Sequence, residues 1–233
     1  MATLFNVLNT RSITKKIYVS LFYPFIAAYI KKERPFTHKG LRLRIMPGVF
    51  HPGFYFSTKF FFSFIDTLPL ANKKCLEIGC GSGLLSLLML RKRGDVTAID
   101  INPNAIQNTA LNYKKNKSQF DAALKLIQSD LLDQVRPTQF DFVVIAPPYF
   151  FDEVTNDAEY AWYCGKNGEY FKKLFSQIGS YIHPDTKVYM ILADNCDISR
   201  IEKLGQAQMF YFELISTKRI WWEDNYIYQV IKR

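Results

Sequence analysis

The chain has 233 residues, 48% hydrophobic and 22% charged, enough for one large α/β core with a short extension and too little for two domains of ordinary size. The formal charge of +9 is gathered at one end, because residues 1–44 hold nine Lys and Arg against the single acid Glu33 and so carry +8. That imbalance favours a polyanionic partner, nucleic acid or an anionic membrane surface met through residues 11–44, over small neutral ligands; a solvated basic face is the plain alternative. Cys75, Cys80, Cys164 and Cys196 show no CxxC spacing, and His38, His51 and His183 do not group with them. A reduced, cytoplasmic protein without a structural metal is expected.

In chain order, the first distinct segment is the apolar run 17–30, bracketed by Lys15-Lys16 and Lys31-Lys32 and interrupted by Pro24. It falls short of the roughly 20 residues a spanning helix needs, so a helix packed on the domain or lying on a membrane surface is expected. Residues 35–40 read as a linker. The alternation in Leu41-Arg42-Leu43-Arg44-Ile45, followed by Pro47-Gly48, predicts a small hairpin with both arginines on one face. These pieces make up a basic extension over residues 1–54, ahead of a main domain over 55–233. Ser57 and Thr58 are helix N-cap residues placed before a predicted helix at 60–68.

From residue 74 onward strand and helix patterns alternate. Strands are expected at 75–79, 96–100, 124–128, 140–146 and 187–193, and helices at 84–93, 104–115, 168–182 and 198–204. Two strand-like runs, 208–217 and 225–231, close the chain around Trp221-Trp222-Glu223-Asp224. Such alternation predicts a mostly parallel sheet with helices on both faces, and the two closing strands predict an antiparallel pair at one edge.

Four landmarks carry chemistry. Glu77-Ile78-Gly79-Cys80-Gly81-Ser82-Gly83 runs from a strand through a glycine-rich loop into a helix, a form that lets backbone approach a ligand closely. A dinucleotide loop needs a glycine where Leu84 stands. Asp100 ends the second strand, where a carboxylate can accept from both hydroxyls of a ribose. Ser129-Asp130-Leu131 follows the third strand, and Ala146-Pro147-Pro148-Tyr149 leaves the fourth.

In this order, each at a strand end, the landmarks resemble the class I S-adenosylmethionine-dependent methyltransferases. Within them, the Pro-Pro-Tyr segment is similar to the Asn-Pro-Pro-Tyr amino-methyltransferases, among them release-factor glutamine methyltransferases and RNA and DNA enzymes. The resemblance implies a Rossmann-like fold with a seven-stranded, mostly parallel sheet and an antiparallel edge strand. It implies S-adenosylmethionine held by Thr58, Glu77, Gly79, Cys80, Gly81, Gly83, Asp100, Ile101, Asp130 and Leu131, with Asp130 accepting from the adenine amino group. Ala146, Pro147, Pro148 and Tyr149 would form the reacting rim, Tyr149 stacking on a flat acceptor. The segment from Phe50 to Lys59 resembles the part that folds over the cofactor, which brings Phe54 and Thr58 near it, while His51 reads as a surface residue. The run from Tyr163 to Glu169 resembles the stretch that opens the next helix. The implied activity is N-methylation of RNA or a translation protein; a small-molecule methyltransferase or an inactive cofactor-binding subunit are the alternatives.

Ala146 departs from the family pattern, since it cannot accept a hydrogen bond from the reacting nitrogen as Asn or Asp does. Either the substitute acceptor is a backbone carbonyl of Ala146 or Pro147, or one of the loop acids Asp152, Glu153, Asp157 and Glu159 serves, or the target is not an amino nitrogen.

Overall fold

The computed structural model describes residues 31–53, 56–155, 157–221 and 223–233, so the apolar run 17–30 and Phe54 lie outside the described residues. In chain order the elements are β1 (Arg34–His38), β2 (Leu41–Ile45), α1 (Phe56–Ile65), β3 (Lys74–Ile78), α2 (Leu84–Arg91), β4 (Asp95–Asp100) and α3 (Pro103–Lys115). They continue with β5 (Lys125–Gln128), β6 (Phe140–Ile145), α4 (Glu169–Ile178), β7 (Ile182–Ala193), α5 (Ile198–Gln206), β8 (Phe210–Ile220) and β9 (Glu223–Lys232).

Strands β3–β9 form one seven-stranded sheet in the order β5-β4-β3-β6-β7-β9-β8. The first five in that order run parallel, while β9 lies antiparallel between β7 and β8, as expected for strands joined without a helix. Alternate residues of the central strands feed opposite faces. Phe142 and Val144 join Val96 and Ile191 in a core under α1 and α2, and Val143 and Ile145 join Leu76 and Met190 in a second core under α4 and α5. Helix α2 is buried from Leu84 to Leu90, and each leucine taken out of water there is worth about 2 kcal/mol.

The hairpin differs from its sequence expectation. The supposed linker 35–40 is strand β1, which pairs with β2 through a turn at Lys39-Gly40 rather than at Pro47-Gly48. Both turn residues have positive φ, +42° and +85°, the two-residue geometry whose twist suits a hairpin. Arg42 and Arg44 do face solvent while Leu41, Leu43 and Ile45 enter the α1–α2 core, so the hairpin is built onto the main domain.

Its second edge is closed by side chains. Asn108, Asn112 and Asn116 recur every four residues and so share one face of α3. Their Oδ1 atoms accept from the backbone N–H of Met46, Arg44 and Arg42, at 3.1, 2.7 and 3.0 Å. Their Nδ2 groups donate back to the carbonyls of Arg44 and Arg42. An amide carries one acceptor and two donors, so a row of them can replace a missing strand.

Two element boundaries shift for identifiable reasons. Ser57 and Thr58 lie inside the first turn of α1 rather than before it, and both line the same cavity as Tyr149. Helix α4 stops at Ile178 and β7 already begins at Ile182, because a register shift opposite Phe140 and Phe142 accommodates Pro184 inside the strand.

Candidate functional site

The order of the sheet reverses between β3 and β6, and ligands in open α/β sheets bind where the strand ends diverge at such a point. A cavity of about 580 Å³ opens there, lined by the loop after β3, the end of β4, the Pro-Pro-Tyr segment, the residues after β7 and the β8–β9 turn.

The glycine loop is tied down by backbone bonds. Gly79 and Cys80 N–H both donate to the Ile99 carbonyl, at 2.9 and 3.0 Å, and Gly83 N–H donates to the Cys80 carbonyl at 2.8 Å. Two glycines are required for different reasons. A Cβ on Gly83 would meet the Thr109 side chain at 2.7 Å, whereas a Cβ on Gly81 would meet no protein atom within 4 Å and would stand in open cavity wall. Both have positive φ, +81° and +53°.

Asp100 is the electrostatic centre of this half. Its Oδ2 accepts from Gly81 N–H and its Oδ1 from Asn102 N–H, both at 2.9 Å. Burial pushes the carboxyl above its usual range, and these amide donors pull it back down. A carboxylate offers about four acceptor positions, so two remain for a ligand diol. Asn102 caps α3 by accepting from Asn104 N–H, which leaves Asp100 out of the capping role.

Glu77 sits on the cavity wall but its carboxyl is turned to the Ser86 hydroxyl of α2, which donates to it, and burial pushes it up to about 8. Cys80, Ile101, Thr58 and Leu131 also line the cavity, Leu131 in a left-handed conformation at φ +53°. Asp130 reaches the rim, where Lys173 of α4 binds it at 2.5 Å and Asp133 at 2.6 Å. A ligand group at Asp130 therefore shares it with an ammonium.

The opposite half is aromatic. Pro147 and Pro148 are buried, Ala146 is exposed, and Tyr149 lines the cavity with Phe50 and Trp162, whose rings lie 5.3 Å apart. Burial is the main cause that raises the Tyr149 hydroxyl well above its usual range, and the nearby Glu223 charge acts in the same direction. His51 is buried beside Phe36 and accepts from Gly53 N–H at 3.1 Å, not a surface residue as its sequence context suggested. Gly165 and Gly168 do lead into α4 as expected, Gly168 at its N-cap with φ +74°.

The loop acids proposed to replace the missing Asn are elsewhere. Asp152, Glu153 and Glu159 do not line the cavity, and Glu159 accepts from both the N–H and the hydroxyl of Thr155 at 2.8 Å; the side chain of Asp157 lies outside the described residues. Among the described polar residues lining the cavity are Asn195, two residues beyond β7, and Glu223, the first residue of β9; Asn195 Nδ2 donates to Glu223 Oε2 at 3.3 Å. Sequence reasoning passed over both. The available signal was topological: an antiparallel strand beside β7 begins where β7 ends, at the ligand-binding edge. Among the described residues, no three His, Cys, Asp or Glu are grouped to hold a metal ion.

The comparisons with known proteins agree with this geometry. A putative protein N5-glutamine methyltransferase of Methanocaldococcus jannaschii is 27% identical over 150 residues, 62% of this chain and 72% of its own length. A tRNA1(Val) (adenine(37)-N6)-methyltransferase of Shewanella loihica is 32% identical over 139 residues, 53% of this chain and 54% of its own, so the chain spans about half of that relative. A 16S rRNA N2 G1207 methyltransferase of T. thermophilus, solved with AdoMet and guanosine, shares the fold with a TM-score of 0.60 at 15% identity, over 87% of this chain and 50% of that one. Residues 40–162 match the family described as "Methyltransferase small domain". The open wall at Gly81 and the two remaining acceptor positions of Asp100 fit an adenosyl group, and the chain belongs to the methyltransferase small domain family, whose cofactor is S-adenosylmethionine.

Proposed function

We propose that this chain is an N-methyltransferase acting on a macromolecule, RNA or a translation protein, in the cytoplasm. The observation that carries the reading is a single cavity running from the Gly79–Gly83 loop and Asp100 to the Pro147-Pro148-Tyr149 rim with its Phe50–Trp162 wall. A flat amide or nucleobase fits between aromatic rings of this kind. The two relatives named above act on a protein glutamine and a tRNA adenine, both planar amino or amide nitrogens.

S-adenosylmethionine, when bound, supplies an activated methyl group, and the protein contributes alignment and the exclusion of water. Asp100 would hold the ribose, and the glycine loop would let backbone pass close to the amino-acid end. Pro147 and Pro148 keep the exit loop rigid, and Tyr149 presents its ring to the acceptor. Asp130 would accept from the adenine amino group, in competition with Lys173. The basic residues 11–44 provide the phosphate contacts of an RNA-bound complex.

Incubation with methyl-labelled cofactor and either total RNA, ribosomes or release factors should label a macromolecule; label only in small metabolites overturns the reading. Vesicles with and without anionic lipid, titrated with salt, test whether residues 11–44 meet a membrane instead. Ala146 favours one second reading, a cofactor-binding subunit without turnover. That reading requires tight cofactor binding with no label transferred to any acceptor.

A further inference from the structure

The exposed Ala146 leaves the end of β6 without a side-chain acceptor, yet the acceptor half of the cavity is not apolar throughout. Glu223 and Asn195 reach it from the far side, brought there by pairing of β9 with β7: Ala193 lies opposite Asn225, so Glu223 begins its strand just beyond the end of β7. Asn195 leaves the same strand end two residues after Ala193 and donates to Glu223 Oε2 at 3.3 Å. The Nδ2 of Asn225, which is completely buried, also donates to the Glu223 backbone carbonyl, at 3.3 Å, which fixes the start of the strand. Glu223 is half-buried and lines the same cavity as Pro147, Pro148 and Tyr149.

Resting on the methyltransferase reading, we propose that Glu223, positioned by Asn195, is the side-chain acceptor for the reacting nitrogen, in the role that Ala146 cannot fill. An amide or aromatic amino nitrogen is a weak nucleophile because its lone pair is delocalised. A carboxylate that accepts one N–H, with a backbone carbonyl at Ala146 or Pro147 for a second, holds the lone pair toward the methyl carbon. As the nitrogen–carbon bond forms, the carbon–sulfur bond breaks and its electron pair stays on sulfur. The surplus proton on nitrogen passes to the Glu223 carboxylate and from there to water.

The test needs no knowledge of the methyl acceptor. Sinefungin carries a primary amine where the cofactor has its methyl-bearing sulfonium, so its ammonium reports on groups facing the transferred methyl. Calorimetry on the full chain should show sinefungin bound at least 10-fold more tightly than S-adenosylhomocysteine. Glu223→Gln should reduce that preference by about 10-fold or more, with S-adenosylhomocysteine affinity held within twofold. Asn195→Ala should reduce it less. An unchanged preference in Glu223→Gln overturns the assignment while leaving the methyltransferase reading intact. Failure of both ligands to bind the unmodified protein overturns the cofactor reading, and this assignment with it.

Discussion

The cofactor half of the cavity is assembled mainly from residues 77–131, a continuous run of β3, α2, β4, α3 and β5, whereas the acceptor half draws on Phe50, Tyr149, Trp162, Asn195 and Glu223 from five separate places. In the first half the important contacts are between the backbone and a single side chain, as where Gly81 and Asn102 N–H both meet Asp100. In the second they are side-chain contacts across elements, as where the Phe50 ring meets Trp162 and Asn195 meets Glu223. A binding surface made of main chain and one carboxylate tolerates little variation. One made of side chains on separate elements can change its acceptor chemistry while the fold stays constant. That contrast accounts for the presence of Ala146 in an otherwise recognisable rim.

Substitution at Asp100 should give the largest effect. Asp100→Ala removes two amide bonds and the ribose contacts together, and cofactor affinity measured by calorimetry should fall by more than about 100-fold, roughly 3 kcal/mol. A loss below fivefold would mean that the cofactor half does not depend on this carboxylate. Next in size is a pair that separates fold from ligand. Gly83→Ala collides with Thr109 and should lower stability by about 2–3 kcal/mol. Gly81→Ala meets open space, so it should cost only about 1 kcal/mol of stability from its positive φ while weakening cofactor binding. Chemical denaturation and calorimetry on the two variants should therefore rank them in opposite orders.

The buried carboxyl of Glu77 gives a pH test. Its folded pKa of about 8 lies above the ordinary carboxylate value, burial being the largest cause, so the folded state favours the protonated form. The stability it contributes is complete below about pH 4.5 and is lost as pH rises through 8. Glu77→Gln keeps an acceptor for the Ser86 hydroxyl and should flatten the melting-temperature profile between pH 5 and 9; superimposable profiles would show that Glu77 does not titrate there. The smallest expected effect belongs to the acceptor half. Tyr149→Phe keeps the ring and removes only the hydroxyl, so transfer to the macromolecular acceptor should slow by less than about 10-fold, under 1.4 kcal/mol, with cofactor affinity unchanged. Loss of cofactor binding in this variant would mean that the two halves are not independent.

How much could be read without coordinates follows the same division. The glycine loop, Asp100 and the Pro-Pro-Tyr segment were legible because each is a local strand-end signal, and backbone geometry within a few residues decides what it can do. The hairpin turn was misplaced because Pro47-Gly48 is an equally good local signal as Lys39-Gly40. The choice between them was made by the asparagine row of α3, more than sixty residues away, which closes the edge of β2. Glu159 looked available because it is close to Tyr149 in sequence, yet it is occupied by Thr155 in its own loop.

By itself, then, the sequence determined the alternating fold, the glycine-rich loop after β3 and the carboxylate at the end of β4, since short-range periodicity and main-chain conformation specify all three. Which acids meet the acceptor was decided only by tertiary structure. The pairing of β9 against β7 sets Glu223 beside Asn195, and strand pairing between segments distant in the chain leaves no pattern in either one that names its partner.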